Sequence, residues 1–203
     1  MVVEKEKQEE LDFDRILLNA TTMANALEYY LIEGNVFRIV MVRRLQGLER
    51  MTMSVGELFT LLHTLQAMRF ALTSEQNCRL NKMLTSVEQT STQLRVRLQE
   101  MIVREIMSRL DHINWFLHDC ENGKEGHQVA FSTEISNRQR IEELVKFLSD
   151  EMTDSVVRRI ERIDQRIRLI THKSDFIWPI EVQSIYPEDS YWYLYSLPNS
   201  HII

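Results

Sequence analysis

From Phe13 the apolar positions fall at Phe13, Leu17, Ala20, Ala24, Leu27 and Leu31, in alternating steps of four and three. That spacing lays a single stripe along one face of an α-helix. The stripe resumes at Phe37, Met41, Leu45 and Leu48, so the first helix is expected to continue through "EGN" at 33–35 with a kink at Gly34. A glycine there costs about 1 kcal/mol against alanine. Ser54 and Glu57 have the spacing of a capping box and predict a second helix carrying Leu58, Leu61, Leu62, Leu65, Met68 and Leu72. Thr73 and Gln76 repeat the signal and predict a third. Its stripe runs through Leu80, Leu84, Val87, Ser91, Leu94, Leu98 and Met101, then drifts to Ile102, Ile106, Leu110, Ile113 and Leu117. Such a drift marks a heptad pattern relaxing toward the natural 3.6-residue period. One unbroken helix over 54–118 is the competing reading. Two glycines in "CENGKEGHQ", 120–128, predict a loop. A last helix is expected near 133–172, with Ile141, Val145, Leu148, Met152, Val156, Ile160, Ile163, Ile167 and Ile170 on its stripe.

The pattern changes in "DFIWPIEVQSIYPEDSYWYLYSLP", 175–198, which holds all 3 prolines and seven of the chain's aromatic residues. "IEVQSIY" and "YWYLYSL" flank "PEDS", a four-residue turn sequence, and both flanks are rich in β-branched and aromatic residues. They predict a β-hairpin-like or extended tail. A lone hairpin is marginal in water, so it must rest on the helices or on a partner.

The fold expected is therefore all-α: an elongated antiparallel bundle of about four helices, three of them long. It spans 1–173, with 1–11 a charged lead-in, and the aromatic tail follows over 174–203. The three long helices would reach roughly 60–70 Å and the second only about 30 Å, leaving part of the long stripes bare. Each buried Leu or Ile contributes about 1.5–3 kcal/mol, so bare stripes call for a cover, either the tail or a second copy of the chain.

Composition agrees with long helices. Proline is absent from 1–178 and glycine totals 5, and both residues disfavour helix interiors. A net charge of −6 argues against general attraction to nucleic acid or anionic membranes. No apolar run reaches a membrane span, the first ten residues do not read as a signal peptide, and Cys78 and Cys120 lack a paired motif. The expected setting is cytoplasmic, with no membrane partner.

Candidate chemistry is sparse. Asp111, His112, His118, Asp119, Cys120 and His127 could supply metal ligands, but His112 and His118 are six apart and diverge on a helix. A polar helix end explains them more simply. Glu151 with Asp154 and Glu161 with Asp164 repeat a carboxylate spacing used to hold magnesium, as a metal-dependent hydrolase would need. A matching pair is found only at Glu6 and Glu9, and ion pairs with neighbouring arginines account for the helix acids. Arg158, Arg159, Arg162 and Arg166 form a basic stripe that could meet nucleic-acid phosphates. No aromatic is interleaved with them, and long flanking side chains over an apolar seam are the plainer account. Met41, Met68, Met101 and Met152 sit on stripe positions as core fillers. No phosphate loop or nucleophile motif is present, so no cofactor is expected.

The function expected is non-enzymatic: a helical interaction or assembly module, self-associating or docking another protein, with the tail as cover or docking arm. Concentrated aromatics are enriched at interface centres, which singles out Trp178, Tyr191, Trp192, Tyr193 and Tyr195.

Overall fold

The computed structural model of the protein describes residues 11–122, 127–148 and 152–199, with backbone alone for 127–130. The chain is mostly helical with two small antiparallel hairpins. Helix α1 spans Phe13–Glu33, capped by Asp12, whose carboxylate accepts from the Arg15 N–H at 2.9 Å. It does not run on through Gly34. That glycine adopts φ 78°, a left-handed conformation that ends helices, and its N–H closes on the Tyr30 carbonyl at 3.1 Å. Arg97 and Arg104 donate to the nearby carbonyls of Ile32 and Gly34, satisfying the negative end of the helix.

The stretch expected to continue the helix forms a hairpin instead: β1 (Arg38–Arg44) and β2 (Gly47–Met53), joined at Leu45–Gln46. The spacing of Phe37, Met41, Leu45 and Leu48 fits a helix, but "RIVMV" fits a strand equally well. Three β-branched residues within it and a helix already closed at Gly34 decide the outcome. Val40, Val42 and Met53 are buried on the face turned to α1, and Arg44 bonds Asn19 of that helix at 3.2 Å.

Helices α2 (Val55–Ala67) and α3 (Ser74–Gln93) begin at the expected caps. Ser54 accepts from the Glu57 N–H at 3.1 Å, and Thr73 and Gln76 form a reciprocal capping box. Helix α4 (Arg95–Glu121) follows after a break at Leu94, behind the Thr90–Ser91–Thr92 run, whose side chains compete poorly as helix formers. The last expected helix is likewise two: α5 (His127–Leu148) and α6 (Asp154–Ile170). Thr153 as cap residue and Asp154 in the first turn favour a new start there. Helices α1 to α6 have 13 to 27 residues, so among the described residues no single helix reaches the expected length of about 60–70 Å. Helix α4 packs on α5 and α6, α1 packs on α2 and α3, and α2 packs on α5. Most of the helical stripe residues between Leu17 and Ile170 join one apolar core, whereas Phe37, Met41, Leu45 and Leu48 are exposed.

The tail does not form the expected hairpin. Residues 180–185 make a 310 turn, Pro187 precedes a short helix α7 (Glu188–Tyr191), and 192–195 make a second 310 turn. "PEDS" starts a helix because Pro187 already has φ −61° and two acids follow it into the first turn. The strand pairing is between β3 (Thr171–Lys173) and β4 (Ser196–Pro198), so residues 196–198 return to the foot of α6 across the expected boundary at 173. Among the described residues no helix is long and apolar enough to cross a membrane.

Candidate functional site

The tail aromatics split by position. Tyr191, Tyr193 and Tyr195 are buried within the protein's own fold, whereas Trp178 and Trp192 are half-buried. As docking groups the three tyrosines are therefore already occupied. Trp178 meets the ring of Tyr186 edge-on at 5.2 Å, Tyr186 meets Tyr191 at 4.9 Å, and the Arg168 guanidinium lies 3.7 Å over Trp192. Tyr195 donates to the Tyr186 carbonyl at 2.8 Å. Tyr193 lies under the Arg138 guanidinium, and its hydroxyl has no hydrogen-bond partner among the described residues.

Beneath the tail lies a polar node between α2 and α5. Glu143, only 7% exposed, receives the Tyr191 hydroxyl at 2.8 Å and the Gln139 amide at 3.0 Å, and contacts His63 Nδ1 at 3.0 Å. Thr60 donates to Gln139 at 3.0 Å, and the Lys146 ammonium bonds the Tyr191 hydroxyl. Burial pushes the Glu143 carboxyl up, but the bonds from His63 and Tyr191 outweigh it and hold the group below the usual glutamate range. Burial drives the Tyr186 hydroxyl up to about 12 and raises Tyr191 and Tyr193 as well. Nothing in the sequence points to this node, because His63 and Glu143 stand 80 residues apart and neither belongs to a motif.

The outer face of the hairpin is an exposed, patterned surface. The register sets Ile39 opposite Thr52, Met41 opposite Arg50, and Arg43 opposite Leu48, and directly opposed residues share a face. Ile39, Met41 and Leu48 are 47%, 49% and 63% exposed. Arg43 and Arg50 are exposed, and among the described residues neither makes an ion pair. No acid lies on this face, since Glu49 points to the other side and pairs with Arg44. Among the described residues each strand also keeps one edge without a strand partner. The reading of 37–48 as helix hid this surface, although "RIVMV" followed by "LQG" carried the signal for it.

The arginine stripe of α6 divides. Arg159 pairs with Asp111, and Arg166 pairs with Glu121 at 2.8 Å, so both tie α6 to α4. Arg158 and Arg162 are exposed. Asp164 is held bidentately by the buried Arg138 at 2.7 and 2.9 Å. The metal candidates do not converge. Asp111 is engaged by Arg159, His118 contacts Asn122, and Cys120 is buried with its thiol pushed up to about 11. Among the described residues no group of three or more His, Cys, Asp or Glu could hold a metal. Glu6, Glu9, Glu151 and the His127 side chain lie outside the described residues.

Compared with protein families, with curated proteins and with solved structures, the chain matches none of them.

Proposed function

We propose that this protein is a non-enzymatic interaction module whose docking element is the hairpin β1–β2. The helical body, an antiparallel bundle in this reading, is its scaffold, and the C-terminal tail is the cover of that body rather than a free arm. The observation that carries this reading is the outer hairpin face, with Ile39, Met41 and Leu48 set among Arg43 and Arg50 and no acid of either strand on that face. Apolar area supplies affinity there, and desolvated arginines select the sign of the partner. The partner that fits is an extended protein segment alternating acidic and apolar residues, adding as a strand to an open edge. Self-association through the same face is disfavoured, because it would set Arg43 and Arg50 of one copy against those of the other.

The test is a fluorescence-anisotropy titration with a labelled alternating Glu–Val peptide and a Lys–Val control. The full-length protein binds the acidic peptide, and the Arg43→Glu/Arg50→Glu variant binds it at least about tenfold more weakly, a difference of about 1.4 kcal/mol. Equal binding of both peptides, or no loss in the variant, would sink the reading. Binding of a single-stranded oligonucleotide that survives in the hairpin variant and fails in Arg158→Ala/Arg162→Ala would favour the nucleic-acid reading instead.

A further inference from the structure

The hydrogen-bonded turn at 45–46 pairs Arg44 with Gly47, and the ladder alternates from there. Val42 with Glu49, Val40 with Met51 and Arg38 with Met53 exchange their N–H and C=O groups. Arg43 with Leu48, Met41 with Arg50 and Ile39 with Thr52 turn theirs away from each other. The open backbone groups of β2 therefore belong to Leu48, Arg50 and Thr52, and those of β1 to Ile39, Met41 and Arg43. The residues with open backbone groups are the same ones whose side chains form the outer face.

Resting on the docking reading, we infer that the partner segment adds antiparallel to β2 and sets one acidic residue directly opposite Arg50. Two observations choose the strand. Helix α1 lies along β1: the Arg38 guanidinium sits 4.4 Å over the Tyr29 ring, Arg44 bonds Asn19, and Val40 and Val42 are buried. On β2, Gly47, Leu48, Glu49 and Arg50 are exposed and Met51 is half-buried, and among the described residues no hydrogen bond joins β2 to α1. Charge agrees with that choice. Arg50 is the middle of the three open residues on β2, whereas Arg43 is the last of three on β1, beside the turn, where an added strand frays.

Antiparallel pairing is the more stable per residue. It brings the acid to a Cα separation of about 5.5 Å from Arg50, with the backbone N–H and C=O of the acid meeting those of Arg50. The next residue of the segment turns to the other face, where an apolar side chain lies opposite Met51. Alternation of acidic and apolar residues is thus the pattern this edge selects, and Arg50 sets its register.

The experiment uses the full chain and the alternating Glu–Val peptide, made also with N-methyl groups on every glutamate or on every valine. Methylated glutamates weaken binding at least about tenfold and methylated valines leave it within about twofold, because only the glutamate N–H groups face β2. Residue-resolved amide exchange shows protection at Leu48, Arg50 and Thr52 and none at Ile39, Met41 and Arg43. Arg50→Gln weakens binding about tenfold, while Arg50→Lys and Arg43→Gln stay within about twofold to threefold of the parent. Protection on β1, a greater loss in Arg43→Gln, or a loss with methylated valines would overturn the inference and leave the docking reading standing. A peptide that does not bind at all would remove both.

Discussion

Both oxygens of the Glu105 carboxylate face the backbone N–H of Gly56, at 3.1 and 3.2 Å. The contact sits on the first turn of α2, where N–H groups lack helical partners and the dipole favours negative charge. Arg109 locks the carboxylate from the other side at 2.9 Å through Nε and reaches the capping Ser54 hydroxyl at 2.9 Å. Glu105 is fully buried, so this pair joins α4 to the start of α2 with little access to water. Breaking such a pair costs far more than its net contribution, because the remaining charge is left buried alone.

Gly56→Ala tests that junction. Alanine is the better helix former by about 1 kcal/mol, so a free site would gain stability. Here the new Cβ would lie 2.6 Å from Glu105 Oε1 and 3.1 Å from Arg140 Cβ. A glutamate end usually swings aside, but this one is pinned by Arg109 and has no solvent to enter. The substitution is expected to destabilise the fold by about 2 kcal/mol in urea unfolding. A stabilised variant would mean that the junction is loose.

Acid should loosen the hold of the tail. The folded Glu143 carboxyl titrates below its usual range, so its contribution is complete above the unfolded value, near pH 4.3, and vanishes as pH falls through the folded value. Glu143→Gln should therefore cost about 2 kcal/mol near neutrality and much less at about pH 3. Urea unfolding of both proteins at the two pH values measures this. A gap that widens on acidification would contradict the arrangement.

The alkaline limb has the opposite sign. Tyr186, pushed up to about 12 by burial, favours the fold fully below the unfolded tyrosine value near 10. That contribution is lost as pH climbs from about 10 to 12, and amounts to about 2–3 kcal/mol. Tyr30, Tyr191 and Tyr193 are shifted in the same direction, each chiefly by burial. These four should ionise together with loss of the far-ultraviolet circular dichroism signal. Stepwise phenolate absorbance with the helices intact would contradict their burial.

Features set by neighbours in sequence were legible in advance. The caps at Ser54 and Thr73 and the stripes from Leu17 to Ile170 need only residues three or four apart. Two kinds of feature were not. In "FRIVMVRRLQGL" helical and strand periods coexist, and the choice fell to Gly34 closing α1 and to the buried face that α1 offers Val40 and Val42. The aromatic content of the tail signals packing, but it does not reveal the pairing, because β4 finds its partner at 171–173 and not across "PEDS". Contacts such as Glu143 with His63 or Tyr191 join distant segments and leave no local trace. The arginines of α6 looked like one stripe, and only the position of α4 separates Arg159 and Arg166 from Arg158 and Arg162.

Amide hydrogen exchange of the full chain, with and without the acidic Glu–Val peptide, tests the docking role of the hairpin most directly. The account predicts added protection over Arg38–Met53, concentrated at a free strand edge, and unchanged exchange over 176–195. Protection that arises instead around Trp178 and Trp192 would return the docking role to the tail and contradict the account.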